Sequence, residues 1–301
     1  MLNLIFAVGA FALGACIASF LNVVIWRVPR GESIVSPPSH CPKCGTPIKG
    51  YQNIPILAWL FLRGKCATCK APISPRYILI ETLGGCLFLA AFIHVFAAAG
   101  AFVEPKFHLM GDPFLEWLNW FHLSVWWIWI SLMIVGSMID FDHKLLPDFM
   151  TIGGMILGVL WNGVVTIHQF ANSSTRQFPD SVIQLFSYSV IQSLLGLAFG
   201  FGLFALIRLL GTKAFKREAM GMGDVFLMGA VGALFGPMAV LFVLIFSSLF
   251  GSVIGVSLIV LSKTKFGKFV EIPYGPYICL ATLLWMFYGV EIVRWYLGLM
   301  K

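Results

Sequence analysis

Long apolar runs recur along almost the whole chain, and they restrict its fold more than any other feature. An α-helix of about 20 residues crosses the hydrocarbon core of a bilayer. Eight runs of about this length or somewhat shorter are present, and the sixth is short, with Gly236-Pro237 as its only separation from the seventh. The eight runs are Leu4–Ile25, Ile78–Ala99, Leu123–Ile139, Phe149–Ile167, Ile183–Leu210, Val225–Phe235, Met238–Leu261 and Tyr274–Leu297.

Composition agrees with a membrane protein. Of the 301 residues, 59% are apolar and only 11% are charged, whereas soluble domains are about 45–50% apolar. Helices are the expected spanning form, because a lipid-exposed backbone must satisfy its own hydrogen bonds and the runs lack barrel-type alternation. The sequence therefore predicts an all-α polytopic membrane protein with about eight transmembrane helices.

The distribution of Lys and Arg predicts the orientation of these helices. With the N-terminus outside, sixteen of the twenty basic residues fall on the cytoplasmic side, and only Lys106, Arg176, Arg294 and Lys301 fall outside. Cytoplasmic loops carry such an excess. We therefore expect a multi-pass membrane protein with both termini outside. A positive cytoplasmic face next to membrane lipid accounts for the net charge of +7, so no nucleic-acid partner is expected.

The longest polar stretch lies between the first two runs and divides the chain into three parts. Residues 1–25 form the first transmembrane helix, residues 26–77 a cytoplasmic domain, and residues 78–301 a transmembrane domain. Eight of the fifteen prolines and nine of the thirty-three charged residues lie in the second part.

Four cysteines in this cytoplasmic part have the spacing of a metal site. Cys41, Cys44, Cys66 and Cys69 are arranged as C-x2-C-x21-C-x2-C, and each pair is followed, after two intervening residues, by Pro-Ile. Two close pairs of thiolates suit tetrahedral zinc. Two redox dithiols or two disulfides are the alternative, although stable disulfides are disfavoured in a reducing cytoplasm. We expect a small zinc-ribbon-like domain, stabilised by the metal.

Two aspartates are the candidate catalytic residues. Asp140 ends the third run and Asp224 precedes the sixth, so both lie at the predicted cytoplasmic ends of separate helices. Two carboxylates within hydrogen-bond reach share one proton, and the ionised one acts as general base on a water between them, as in aspartic proteases. Gly221 and Gly223, which precede Asp224, are expected to permit positive φ and the close approach of a substrate backbone.

Other acids in these regions have competing interpretations. Asp148 follows Pro147, a sequence typical of a helix N-terminus, which favours a capping or dipole role over catalysis. Asp224 could likewise act only as an N-terminal dipole acid. Glu81 lies just inside the second run; intramembrane acids are costly and usually functional, so it is expected either to face the bundle or to extend toward the surface.

Several stretches together resemble the type IV prepilin peptidases, a family of bacterial membrane aspartic proteases. The resemblance extends from about Ala18 to Tyr277 and implies that Asp140 and Asp224 cut the basic leader from prepilins and pseudopilins at the cytoplasmic membrane boundary, usually after a Gly. Members often also N-methylate the new N-terminus with S-adenosylmethionine, which would place that activity around Cys41–Glu81. The stretches are ASFLNVVIWRVPR, CPKC, NIPILAWLFLRGKCATCKAPISPRYILIE, IDFDHKLLPD, GMGD and IPYGP, in family order.

Two other functions fit part of the pattern. A transporter or proton channel could use membrane aspartates to relay ions, although the position of both acids at the membrane edge and the lack of repeats disfavour it. A different protease with the same Gly-x-Gly-Asp motif, acting on another class of membrane substrate, is the second alternative, and the cysteine-bearing loop argues against it.

Overall fold

The computed structural model describes residues 2–98, 113–172, 189–218, 220–261 and 273–299. Within these ranges the chain forms ten α-helices, and its only extended pairings are isolated bridges at His40–Pro47 and Lys65–Pro72. A single π-helical turn, Trp285–Gly289, joins the last two helices. The helices are α1 Leu2–Arg27, α2 Leu57–Phe61, α3 Arg76–Ala98, α4 Pro113–His143, α5 Asp148–Asn172, α6 Ser189–Phe215, α7 Met222–Phe235, α8 Pro237–Leu261, α9 Gly275–Leu284 and α10 Val290–Leu299.

The predicted all-α membrane architecture is confirmed. Among the described residues, seven helices are long and apolar enough to cross a bilayer, counting α9 and α10 with their connecting turn as one. They correspond to seven of the eight predicted runs, and the short sixth run is α7, an apolar helix below spanning length. The predicted start of the fifth run at Ile183 and the end of the second at Ala99 lie outside the described residues.

The chain forms two compact units, Met1–Val135 and Gly136–Lys301. In the first unit α1 packs along α3 with almost no space between the backbones. A Cβ on Gly14 would lie 2.6 Å from the Gly84 carbonyl oxygen, and one on Gly84 would lie 2.5 Å from the Cβ of Ala18. Small residues allow this approach, as at many membrane helix interfaces.

In the second unit the short helix α7 is central. It packs against α5, α6, α8 and α9, and ten of its fourteen residues are buried. A helix that is apolar on all sides is stable when protein surrounds it. Glycines make the enclosure tight, since a Cβ on Gly196 of α6 would collide with the carbonyl oxygen of Gly232, and one on Gly200 with that of Met228.

The C-terminus of α7 is closed by side chains from neighbouring helices. The Asn162 amide donates to the carbonyl oxygens of Ala233 and Leu234 at 3.1 and 3.2 Å, and the Ser193 hydroxyl donates to that of Ala233 at 2.6 Å. The last carbonyls of a helix lack intrahelical partners. Gly236, at φ 81°, then turns the chain into α8. These bonds allow α7 to end inside the apolar bundle.

Replacing Gly196 by Ala tests the contact between α6 and α7. The added methyl group would press on the α7 backbone, so we expect the folded state to lose about 1–3 kcal/mol, as for other overpacked sites. The measurement is thermal unfolding of the detergent-purified protein. Gly202→Ala on the same helix is the matched control, because its Cβ would meet nothing within 4 Å. Equal unfolding temperatures for the two variants would contradict this packing.

Candidate active site

Asp140 lies in the final turn of α4 and is held by the first residue of α9. The carboxylate is 6% exposed, and its Oδ2 accepts a hydrogen bond from the Gly275 N–H at 3.0 Å. The first N–H groups of a helix have no intrahelical acceptor, so this donor is available. A Cβ on Gly275 would lie 2.8 Å from Oδ2. Only a residue without a side chain brings the start of α9 this close to the carboxylate.

Asp224 lies in the first turn of α7 and is 8% exposed. Its carboxylate accepts a hydrogen bond from the backbone N–H of Gly221, the N-cap residue. This is the acidic half of a capping box. The expectation of positive φ at the two preceding glycines is wrong, since Gly221 lies at φ −66° and Gly223 belongs to the helix. A Cβ on Gly223 would lie 2.8 Å from the Cβ of Leu146, so this position is closely packed. The expected approach of a substrate backbone to Gly223 stays a prediction.

The structure brings the two aspartates together. The charge of Asp140 acts on the carboxyl group of Asp224, and Cys279 lies within electrostatic reach of both. Cys279 is one helical turn beyond Gly275 on α9, is buried, and lies beside Ser137, one turn before Asp140 on α4. The pairs Asp140–Gly275 and Ser137–Cys279 therefore hold α4 and α9 in a fixed register beside Asp224.

Pro147 and Asp148 serve the start of α5. The Pro147 carbonyl accepts the Met150 N–H at 3.0 Å, and Asp148 is the exposed first residue of the helix. This position suits the dipole role that the sequence favours for Asp148. Asp142, two residues beyond Asp140, is also exposed.

Gly275 and Leu146 are two neighbours of the aspartates that the sequence does not single out. Both lie within stretches that carry the family resemblance, IPYGP and IDFDHKLLPD, but neither residue type has chemistry of its own. Their placement follows from the packing of α4, α7 and α9, which are distant in sequence. A local sequence pattern does not predict such packing.

The four cysteines of the first unit form a compact cluster. Their sulfur atoms all lie within 4.8 Å of one another, and those of Cys41 and Cys69 are 3.8 Å apart. Four sulfurs bound to zinc at about 2.3 Å in a tetrahedron are separated by about 3.8 Å. The donor set and its spacing therefore fit a tetrahedral metal ion. His40, next to Cys41, is not part of this cluster.

The two cysteine pairs lie on turns with the same hydrogen bonds. In each turn the first cysteine's N–H donates to the carbonyl of the residue five positions on, and the residue four positions on donates back to the cysteine's carbonyl. Gly45 and Lys70 occupy the matching fourth positions, with φ 69° and 58°. The repeated Cys-x-x-Cys-x-x-Pro-Ile sequence therefore encodes one structural unit twice, which is the predicted zinc-ribbon-like arrangement.

Hydrogen bonding makes the thiols of this cluster unequal. Bonds with Thr46 lower the pKa of the Cys44 thiol to about 6. Backbone N–H groups of Cys69 and Thr68 lower the pKa of Cys66. The Ala71 N–H acts in the same direction at Cys69, but burial and hydrogen bonds to the other sulfurs outweigh it and raise that pKa to about 11. Two of the four thiols are thus predisposed to the thiolate form that binds metals.

Glu81 of α3 is buried and forms a hydrogen bond within the first unit. Its Oε2 accepts the backbone N–H of Ile56 at 2.7 Å. Ile56 has φ 63° and ψ −56°, a conformation that is a genuine outlier for a β-branched residue. Glu81 therefore holds the unusual backbone at the start of α2.

Two family matches together cover most of the chain. Residues 12–95 match the bacterial peptidase A24 N-terminal domain, and residues 127–256 match the type IV leader peptidase family. The first match contains the cysteine cluster and the second contains both aspartates. No solved structure matches the chain.

Curated relatives carry the same description. The chain is 37% identical to a prepilin leader peptidase/N-methyltransferase of Myxococcus xanthus, over 84% of this chain and 63% of that protein. It is 34% identical to a protein of the same name from Legionella pneumophila, over 97% of this chain and 93% of the relative. A type 4 prepilin-like proteins leader peptide-processing enzyme of Escherichia coli is 34% identical over 87% of both chains. On this identity and coverage, the chain belongs to the type IV leader peptidase family.

Proposed function

We propose that this protein is an aspartic endopeptidase that removes the leader peptide from type IV prepilins and pseudopilins. The observation that carries the proposal is the pair of buried carboxylates, Asp140 and Asp224, which come from separate helices and lie within electrostatic reach. The names of the relatives, which are leader peptidases, supply the substrate class.

The pair divides the work of peptide hydrolysis. One carboxylate is ionised and takes a proton from a water molecule between them, while the other is protonated and donates a hydrogen bond to the scissile carbonyl. The water oxygen attacks the carbonyl carbon, and a proton passes to the leaving amine as the C–N bond breaks. The Gly275 N–H orients Asp140, and the Gly221 N–H orients Asp224.

The protein is a multi-pass protein of the inner membrane, and we place the aspartate pair at its cytoplasmic side with both termini outside. In this orientation the short α7 enters from the cytoplasmic side and α8 returns to it, so the other six spanning helices leave both termini on one face. The excess of Lys and Arg in the predicted cytoplasmic segments supports this orientation. A basic leader is poorly matched to a basic face. The acids Asp140, Asp142 and Asp148 offset this mismatch by attracting Lys or Arg of the leader.

The four cysteines are proposed to hold a structural zinc ion. Bound zinc would join the two turns and supply folding free energy to a segment with little apolar core. The segment between α1 and α3 contains only the short α2 and two single 3-10 turns among its described helical elements. This supports a structural rather than a catalytic role for the metal.

N-methylation of the new N-terminus is proposed as a second activity, on the names of the relatives. S-adenosylmethionine would supply the methyl group. In the described part of the chain no strand leads into a glycine-rich loop, which is the arrangement that holds nucleotides in Rossmann-type enzymes. The family resemblance assigns this activity to the region around Cys41–Glu81.

The alternative of an ion transporter receives no support, because the matching family and the named relatives are peptidases. The alternative of a protease with a similar motif but another substrate class is disfavoured on the same ground.

Replacing either aspartate by Asn tests the catalytic assignment. Asp140→Asn and Asp224→Asn each remove the ionisable group while keeping its shape, so we expect cleavage to fall by about 10²–10⁴-fold. The measurement is mass spectrometry of a purified prepilin after incubation with the detergent-purified variant.

Glu218→Gln is the matched control for these variants. This exposed carboxylate lies six residues before Asp224 and pairs at the surface with Arg208, a contact of about 0–1 kcal/mol. It should retain cleavage. Near wild-type cleavage by Asp140→Asn or Asp224→Asn would overturn the assignment.

The double substitution Cys41→Ser and Cys44→Ser tests the metal site. It removes half of the ligands, so we expect the purified protein to lose its zinc, about one ion per chain, when metal content is measured by plasma mass spectrometry. Cys86→Ser, which changes a cysteine outside the cluster, should retain it. Full zinc content in the double variant would exclude this cluster. Assays of cleavage and methylation on the same sample then show which activity needs the folded loop.

A further inference from the structure

Leu146 lies between two glycines at the edge of the aspartate pair. A Cβ on Gly275 would lie 3.2 Å from one methyl group of Leu146 and 2.8 Å from Oδ2 of Asp140. A Cβ on Gly223, one residue before Asp224, would lie 3.3 Å from the other methyl group. The isobutyl group thus occupies a notch that both glycines leave open, beside Asp140.

The backbone on either side of Leu146 is fixed. On one side the Lys144 N–H donates to the Asp140 carbonyl at 2.8 Å, and Lys144 has φ 55°. On the other side Pro147 starts α5, accepting the Met150 N–H at 3.0 Å. A residue before proline is restricted to extended backbone. A turn this short, anchored at both ends, holds Leu146 as a wall of the site.

A substrate must come close to this wall. For hydrolysis, the scissile carbonyl carbon has to approach the attacking water to about 3–3.5 Å, which places the adjacent substrate residue against the groups around the carboxylates. Gly223 and Gly275 present only backbone there. Of these three neighbours, Leu146 is therefore the one whose side chain limits the available space.

We propose that Leu146 determines the specificity of cleavage by restricting the residue at the scissile bond to glycine or a residue of similarly small size. The inference rests on the proposed peptidase function of Asp140 and Asp224. Truncating Leu146 to Ala removes three carbon atoms from the wall and makes room for a larger substrate side chain.

The experiment compares substrates that differ at the scissile bond. A purified prepilin is prepared with Gly, Ala or Val at each of the two positions that flank this bond, one position at a time. The kcat/KM of each is measured by mass spectrometry with wild-type protein and with Leu146→Ala. One methylene group in a fitted pocket changes kcat/KM by about 10–200-fold. We therefore expect the Ala-to-Gly ratio at one position to rise at least about tenfold in Leu146→Ala.

Leu145→Ala is the matched control. Leu145 lies in the same turn but is 64% exposed, and its truncation should leave the ratio unchanged. A similar change of ratio in both variants would overturn the proposal, because it would reflect a general loosening of the turn.

Loss of activity is separated from loss of specificity by a second variant. If Leu146→Ala cleaves no substrate, the ratio is measured with Leu146→Val, which removes a single carbon atom. An unchanged Ala-to-Gly ratio in a variant that still cleaves overturns the proposal. Inactivity of both Leu146→Ala and Leu146→Val also overturns it if both variants unfold at the wild-type temperature, because a residue that only limits space is not needed for the chemistry. Failure of the wild-type protein to cleave any prepilin would instead overturn the peptidase function itself.

Discussion

The enclosure of the short helix α7 is the constraint on which the second unit depends. Its 14 residues extend about 21 Å, less than the roughly 30 Å of a hydrocarbon core, so both of its ends need polar partners within the protein. Asn162 and Ser193 supply them at the C-terminus, and the Asp224 carboxylate and the Gly221 N–H bond to each other at the N-terminus. The aspartate is therefore part of what allows the helix to begin where it does.

Each of the two aspartates has its carboxylate at the N-terminus of a helix. Asp224 lies in the first turn of α7, and Asp140 accepts a hydrogen bond from the first residue of α9. Helix N-termini favour negative charge through their free N–H groups and their dipoles. Two such N-termini converging on one site stabilise an ionised carboxylate that is largely removed from water. Glycine at the start of α9 is what permits this contact, because a Cβ there would lie 2.8 Å from the carboxylate oxygen.

Much of this architecture is predictable from the sequence, because it follows from local rules. Length and apolarity predict the spanning helices, and the spacing of the cysteine pairs predicts their cluster, since two thiolates three residues apart reach one ion. The sequence also predicts both aspartates at helix ends. Leu146 and Gly275 escape such reasoning, because their importance comes from which helix ends meet in space. The conformation expected of Gly221 and Gly223 is wrong for a related reason: the motif belongs to a helix start, where ordinary backbone angles suffice.

Intramembrane acids show why position alone does not assign a role. Glu81, Asp140 and Asp224 are all buried to a similar degree. Because burying an acid in the membrane costs free energy, each of them would be a functional candidate on that ground alone. Their partners distinguish them. Glu81 bonds the N–H of Ile56, a residue in a conformation that costs about 1–3 kcal/mol and persists only when its surroundings enforce it. That carboxylate is engaged in holding a loop, whereas Asp140 and Asp224 act electrostatically on each other. A buried acid that faces a second acid is the arrangement that acid–base catalysis requires. This pairing is why Asp140 and Asp224, and not Glu81, carry the proposed peptidase role.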